Sequence, residues 1–301
     1  MPTKNPHVLL PVFSCLLAAT LWGIFWYPLR IMEDMGVSGL WASILIYSAT
    51  LVLLLPDLWL NRSGILQRPL ILGLIGLAAG WANLGFILAI LEGNVVRVIL
   101  LFFLSPIWTV LLGKLLLKEH MSILAWFSIV MAMCGAVIML WQSGSGIIQP
   151  TYIADILAIT AGLAFAFMNV LIRKSGDIPI VLKMGPACLG VVFLAITGIL
   201  VMQPPAPVLT PATLGVAMGV GGIGMLVMTY AAQYGVTHLP VHRSAVIFLF
   251  EIVAGAVSTA LLTNEIVTPR EWAGGLLVVL AAWITAIDTL RPAGSSKKYF
   301  S

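Results

Sequence analysis

The chain has 301 residues, of which 61% are hydrophobic and only 9% are charged. An ordinary globular protein is about one-quarter charged, so this composition excludes a soluble enzyme. The 28 glycines follow no three-residue period, which excludes collagen, and the apolar content excludes a disordered chain. Long apolar runs must satisfy their own backbone hydrogen bonds in lipid, so we predict an all-α membrane protein.

The net charge and the cysteines argue against nucleic-acid-binding, disulfide-rich and metal-binding proteins. We attribute the formal net charge of +4 to basic cytoplasmic loops rather than to a nucleic-acid-binding surface. The three cysteines lie inside apolar runs without a CxxC pair, so we expect neither a disulfide framework nor a metal site. The run after Lys4 resembles a signal peptide, but similar runs recur along the chain, so we expect it to be retained as a span.

Ten apolar runs are long enough to cross a bilayer, which requires about 20 helical residues. Short polar segments separate these runs and leave no room for a separate soluble domain. The predicted spans are residues 9–31, 38–60, 70–91, 95–117, 122–141, 152–172, 180–202, 211–235, 243–262 and 271–289.

The Lys and Arg residues predict the orientation. With the N-terminus inside, twelve of the 15 fall in cytoplasmic segments, and Arg30, Arg97 and Arg270 are external. This asymmetry predicts two cytoplasmic tails, residues 1–8 and 291–301. We expect a multi-pass protein of the bacterial plasma (inner) membrane.

The two halves of the chain match when the sequence is shifted by 146 residues. The aligned pairs include Arg97 with Arg243, Glu119 with Glu265, and Trp126 with Trp272. We therefore predict a first repeat at residues 9–142 and a second at 150–290. Each repeat carries five spans, an odd number, so the halves must insert in opposite orientations. Inverted repeats are typical of secondary transporters.

At this point the chain resembles the ten-helix EamA-type branch of the drug/metabolite transporter superfamily. The resemblance depends on Leu104-Ser105-Pro106-Ile107 followed by Lys118-Glu119 and Trp126, repeated as Phe250-Glu251-Ile252-Val253 followed by Asn264-Glu265 and Trp272. The family usually has proline after the second-repeat glutamate, and glycine where this chain has Lys118 and Asn264. The resemblance implies an exporter or exchanger of amino acids, metabolites or drugs. It also implies a helical basket lined by spans one, three, four, six, eight and nine.

Glu251 is the first candidate for a substrate-binding residue. It lies about eight residues into span nine, near mid-membrane, where a charge costs about 2.5–3.5 kcal/mol on insertion scales. It could bind a substrate ammonium group or carry a coupling proton, or it could be a neutral carboxyl group hydrogen-bonded to a neighbouring helix.

Further candidates are polar or aromatic residues inside apolar spans. Polar side chains there either contact the substrate or join helices, and tryptophans either line an aromatic wall for a ring-bearing or cationic substrate or face lipid. The candidate substrate-binding residues are Glu251, Trp22, Trp81, Asn83, Phe86, Ser105, Trp108, Asn169, Tyr230 and Gln233, with Thr229 as a further polar candidate. Pro106, Gly219 and Gly222 are candidate hinges, although glycines also allow close helix packing.

Three functional classes compete. The leading prediction is a secondary transporter of a small-molecule substrate in the lipid bilayer, exchanging conformations between inverted repeats. No GxxxxGK[ST] sequence occurs, so an ATP site is not expected. We expect no other cofactor. The energy for transport would then come from a gradient, for example of a coupling proton. The alternatives are a channel or lipid scramblase, and an intramembrane enzyme, which the absence of a His-Glu-x-x-His sequence disfavours.

Overall fold

A computed structural model describes residues 9–37, 39–119, 121–140, 152–263 and 267–289. Within these residues, ten helices are long and apolar enough to cross a membrane, and each boundary lies within three residues of its predicted position. The all-α fold class is therefore confirmed. Both predicted tails and Glu265, the repeat partner of Glu119, lie outside the described residues.

The spanning helices are numbered here in chain order. The first five are α1 (Leu10–Asp34), α2 (Gly39–Leu60), α3 (Pro69–Glu92), α4 (Arg97–Leu117) and α5 (Ile123–Leu140). The second five are α6 (Tyr152–Lys174), α7 (Ile180–Met202), α8 (Pro211–His238), α9 (Val241–Leu262) and α10 (Pro269–Asp288).

The helix contacts follow a two-fold pattern between the halves. Helix α1 packs on α8 and α9, and its counterpart α6 packs on α3 and α4. Helix α2 contacts α7 and α8, while α7 contacts α2 and α3; α5 packs on α10. Exchanging the two halves reproduces the same contacts, as expected for inverted repeats.

Helices α4 and α9 are interrupted at equivalent positions. In α4 the helix ends at Phe102 and resumes at Ser105, with Pro106 in its new first turn. In α9 the helix ends at Phe248 and resumes at Phe250. Discontinuous helices near the middle of a transporter fold are typical of its binding site.

Glycines bring several helices into backbone contact at the repeat interface. A Cβ atom added to Gly76 on α3 would lie 2.6 Å from the carbonyl oxygen of Pro186 on α7. A Cβ atom added to Gly221 on α8 would overlap the carbonyl of Ile46 on α2. These two helix pairs are equivalent in the repeat, so small residues set the same close approach twice.

The two ends of the bundle are packed differently. The largest buried core cluster combines the first halves of α1 and α3 with the ends of α6 and α8 and the starts of α7 and α9. At the opposite end, three smaller clusters each join only neighbouring helices. The first end, which also carries Glu119, is therefore closed by one continuous core.

Candidate functional site

A cavity of about 320 Å³ lies between the two repeats, beside the breaks in α4 and α9. Helices α1 to α4 and α6 to α9 all contribute lining residues, so α2 and α7 join the six predicted lining helices. Lining residues towards the Glu119 end, such as Ile172 and Ser244, are buried. Phe86 and Ile99, towards the opposite end, are half-buried. The cavity is therefore most tightly closed at the Glu119 end.

Five aromatic rings form one continuous wall of the cavity. The ring centroid of Trp22 lies 5.5 Å from that of Phe248 and 6.1 Å from that of Phe165. Phe102 lies 5.7 Å from Phe165 and 4.9 Å from Phe86. Phe102 and Phe248 are repeat partners, so both halves contribute equivalent rings. Such a wall favours a substrate with a flat apolar or cationic group.

Several polar groups face the cavity with unused hydrogen-bonding capacity. Ser43 donates to the Oδ1 atom of Asn83 at 3.0 Å, which leaves the Asn83 amide group free to donate. Gln233 is 4% exposed, and its Oε1 atom has no hydrogen-bond partner in the described part of the chain. Asn169 is also buried beside the cavity. Buried amides are normally paired, so these groups are suited to binding a polar solute.

Glu251 is the acidic residue among the described cavity-lining side chains. It occupies the first turn of the second half of α9, where the helix dipole favours negative charge. Gly23 of α1 packs directly on it: an added Cβ atom would lie 2.5 Å from the Glu251 carbonyl oxygen and 2.7 Å from the Gly255 nitrogen. The backbone that carries Glu251 therefore lies at a contact between the first and second repeats.

At the closed end, Glu119 joins the two repeats. Its Oε2 atom accepts a hydrogen bond from the Val241 backbone N–H at 3.0 Å and lies 3.8 Å from Nδ1 of His242. Its Oε1 atom accepts from Nε of Arg173 at 3.3 Å. Arg173 also donates to the carbonyl of Thr237. One carboxylate from the first repeat therefore holds α6, α8 and α9 of the second repeat together.

The pKa of Glu119 reflects these contacts. Burial alone would raise the pKa of this carboxyl group, but hydrogen bonds from His242, the Val241 backbone and Arg173 together outweigh it and lower the pKa below its ordinary value. The carboxylate is therefore charged at neutral pH, where the closed end contains an ion pair.

Comparison with known proteins identifies the architecture. Residues 9–141 match the EamA-like transporter family. The match covers a little under half of the chain, so the first half of this chain is similar to that family. The resemblance to the drug/metabolite transporter superfamily is thereby confirmed.

The curated relatives agree with this assignment. An uncharacterized transporter of Pseudomonas aeruginosa is 29% identical over 53% of this chain and 53% of its own length. Protein RarD of Escherichia coli is 23% identical over 54% of each chain, and RarD of Salmonella typhi is 28% identical over 38%. The chain thus spans about half the length, or less, of the curated relatives it matches.

A solved crystal structure has the same fold. It superposes on this chain with a TM-score of 0.73 at 18% identity, covering 95% of this chain and 98% of that one. Together with the transporter relatives, the ten apolar helices establish an integral multi-pass membrane protein.

Most of the predicted binding residues line the cavity. Those that do are Glu251, Trp22, Asn83, Phe86, Ser105, Asn169 and Gln233, together with Thr229. Their contact with a substrate stays a prediction.

The other three candidates do not line the cavity. Trp81 is 36% exposed and Tyr230 47% exposed, each on a helix surface away from the cavity, and Trp108 is half-buried outside it. The sequence placed these residues at the correct depth, but depth along a helix does not fix which face a side chain occupies.

The three predicted hinge residues occupy irregular helix segments. Pro106 begins the second half of α4 and lines the cavity. Gly219 and Gly222 lie in a widened, π-helical stretch of α8, Met218–Met225. Such stretches occur mostly at functional sites. Movement at these residues stays a prediction.

Five aromatic lining residues were absent from the predicted site. Three of them, Phe102, Phe103 and Phe248, lie at the breaks in α4 and α9, and the 146-residue offset that aligns Phe102 with Phe248 was a usable signal. Tyr47 and Phe165 lie in ordinary apolar sequence, which carries no mark of a cavity-facing position.

Proposed function

We propose that this protein is a secondary transporter that moves a small solute by alternating access between its inverted repeats. The observation that carries the proposal is the cavity between the repeats, beside the equivalent breaks in α4 and α9. Two similar halves in opposite orientations can exchange conformations, which opens such a cavity to each side in turn.

We place both termini in the cytoplasm, in a bacterial inner membrane. The Glu119 end then faces the cytoplasm, and the described conformation is the one closed to that side. Two features support the sidedness: Glu119, Arg173 and Val241 meet at one end, and Arg97 pairs with Asp155 at the other, as the predicted loop positions require. We propose export or exchange, the activity implied by the family resemblance.

A transport role is favoured over an enzymatic one. The cavity presents amide and hydroxyl groups and one carboxyl group, with no histidine among the described residues that line it. Nucleophilic catalysis requires a nucleophile beside a base. The P. aeruginosa relative is named as a transporter.

A two-stage experiment tests the proposal. Purified protein is first heated with a panel of amino acids, nucleosides and organic cations, because a ligand that binds the folded state at 100 times its Kd stabilises it by about 2.7 kcal/mol. Each stabilising compound is then tested for counterflow in proteoliposomes. A transporter gives saturable uptake that is accelerated by unlabelled solute on the opposite side. Linear, unsaturable flux without counterflow would show a channel and contradict the proposal.

A further inference from the structure

The charges around the cavity indicate which substrates it accepts. Of the described side chains that line it, Glu251 is the one acidic side chain, and none is Lys, Arg or His. An anionic substrate would find no cationic partner, and a like charge wherever Glu251 is ionised. A zwitterion would find a partner for its ammonium group but none for its carboxylate. A monovalent cation would be neutralised.

The aromatic wall adds the second requirement. Trp22, Phe248 and Phe165 form a cluster with centroid distances of 5.5 to 6.3 Å, which Phe102 and Phe86 extend. Cations bind favourably over the faces of such rings, most strongly when both are removed from water. Quaternary or protonated amines with a flat apolar body can satisfy the rings and the carboxylate together.

The empty cavity imposes a third condition on Glu251. Its carboxyl group has no ion-pair or hydrogen-bond partner within the described residues, and a bare charge at this depth is costly. The group is therefore stable in two forms, protonated without a substrate or ionised with a bound cation. Binding of the cation releases the proton from the carboxyl oxygen, so the net charge of the cavity does not change.

Other titratable groups near Glu251 do not offer the same exchange. Tyr47 and Cys188 share the cavity, but tyrosine and cysteine ordinarily ionise well above neutral pH. On α1, which packs against the second half of α9, Tyr27, Arg30 and Asp34 surround a separate cleft near the opposite end of the bundle. On α10, Glu271 hydrogen-bonds Thr268, and Asp288 pairs with Arg243 at 2.8 Å.

We propose that the substrates are monovalent organic cations with a flat apolar body, and that each is exchanged for one proton on Glu251. This inference rests on the proposed transport function and specifies its substrate class. In contrast, the polar groups of Asn83, Asn169 and Gln233 serve any hydrogen-bonding substituent and do not select for charge.

Four compounds that share a phenylethyl body test the substrate class. They are phenethyltrimethylammonium, a permanent cation; phenylalanine, a zwitterion; 3-phenylpropionate, an anion; and 2-phenylethanol, which is neutral. Binding to the purified full-length protein in nanodiscs is measured by calorimetry at pH 7.5. We expect the cation to bind most tightly. Tighter binding of any of the other three, or binding of none of the four, would overturn the proposal.

The exchange of a proton for the cation is tested with phenethyltrimethylammonium, because the charge of this compound does not depend on pH. We expect one proton to be released per bound cation in weakly buffered solution at a pH below the titration of Glu251. In that range the apparent Kd should increase about tenfold for each unit of decreasing pH. Binding that is independent of pH from 5 to 8, with no proton release, would contradict the exchange.

Variants distinguish a role of the Glu251 carboxyl group in binding from an effect on folding. We expect Glu251→Gln to weaken cation binding by more than about 30-fold, the usual effect of removing one partner of a buried charge pair, and to abolish proton release. Asp177→Asn is the matched control, because Asp177 forms an exposed ion pair with Arg68 outside the cavity. Phe165→Leu should weaken binding by about threefold or more, whereas Phe193→Leu, on the outer surface, should not.

The results also separate this proposal from the transport function. Counterflow of phenylalanine without binding of the cation would reject organic cations as the substrate class and would still support the transport function. Saturable binding of the cation without counterflow of any compound would confirm the charge selectivity and reject transport.

Discussion

At the level of single residues, Lys118 shows how a departure from the family pattern has a physical cost. It ends α4 in a left-handed conformation, with φ of 55°, one of two non-glycine residues in the described chain with positive φ. A side chain in this region costs about 1–2 kcal/mol relative to glycine. The family's usual glycine at this position is therefore explained by the backbone, and the sequence comparison alone could not supply this reason.

We therefore expect Lys118→Gly to stabilise the protein. The Lys118 side chain is exposed, so its removal loses little packing, while the backbone strain of about 1 kcal/mol is relieved. The measurement is the thermal unfolding midpoint in detergent, with Lys114→Gly as the control, because Lys114 is also exposed but does not have a positive φ. A midpoint that decreases equally in both variants would contradict this explanation.

Gly23 provides a second prediction. An added Cβ atom would lie 2.5 to 2.7 Å from the backbone of Glu251, the side chain of Ala254 and the backbone of Gly255, none of which is a flexible side-chain end. We expect Gly23→Ala to force α1 away from α9 and to destabilise the protein by about 1–3 kcal/mol.

The matched control for this substitution is Gly73→Ala on α3, where an added Cβ atom meets nothing within 4 Å. There alanine should be neutral or slightly stabilising, because it favours helix more than glycine does. Comparison of the two thermal midpoints gives the result. Equal midpoints would show that the contact between α1 and α9 is looser than described.

At the level of helices, we predict that the ion pair at the closed end helps to determine which side of the cavity is accessible. Glu119 is the contribution of the first repeat, and Arg173, Val241 and His242 belong to the second. In Glu119→Gln the charge pair with Arg173 is lost, which we expect to shift the equilibrium by about 1 kcal/mol, or about fivefold, towards opening at this end.

The readout is the labelling rate of a cavity cysteine from the Glu119 side in sealed vesicles. Glu271→Gln is the control, because Glu271 hydrogen-bonds Thr268 at an exposed helix start outside the cluster. An unchanged rate in Glu119→Gln would contradict a role of this carboxylate in closing the end.

The lowered pKa of Glu119 gives this contact a pH dependence. Because the folded pKa lies below the ordinary value of 4.5, the contribution is complete above that value and is lost as the pH falls through the folded pKa. Because reaction of the thiol itself slows as the pH falls, the rate is compared with that of the same cysteine in Glu119→Gln, and we expect the ratio of the parent rate to the variant rate to increase below about pH 4.5. Glu119→Gln should lose this acidic component. The same acid response in both proteins would assign it to other groups.

The helices themselves were largely predictable from sequence. Spans near 20 apolar residues are imposed by the bilayer, so their boundaries followed directly. The break in α4 was signalled by Pro106, but the break in α9 at Leu249 has no proline and emerged only in the structure. Glu119 was recognised as part of a motif, and its contact with Arg173 required the fold, because 54 residues separate them.

At the level of the whole molecule, the two-fold relation was detectable because charged and aromatic residues coincided at one offset. The offset aligned Arg97 with Arg243, and the structure places an acidic partner beside each, Asp155 and Asp288. The composition of the cavity was harder to predict. Apolar residues face lipid, core and cavity alike, so Trp81 and Phe165 cannot be distinguished by sequence.

Alternating access requires one cavity between the repeats to open in turn to both sides of the membrane. The direct measurement uses Thr229→Cys, a half-buried lining residue of α8, in a chain whose three natural cysteines are replaced by alanine. A membrane-impermeant thiol reagent is applied to right-side-out and to inside-out vesicles. We expect labelling from both sides, faster from the side opposite Glu119, with the ratio changed by a transported solute. Labelling from one side only, unaffected by every solute that binds, would contradict alternating access.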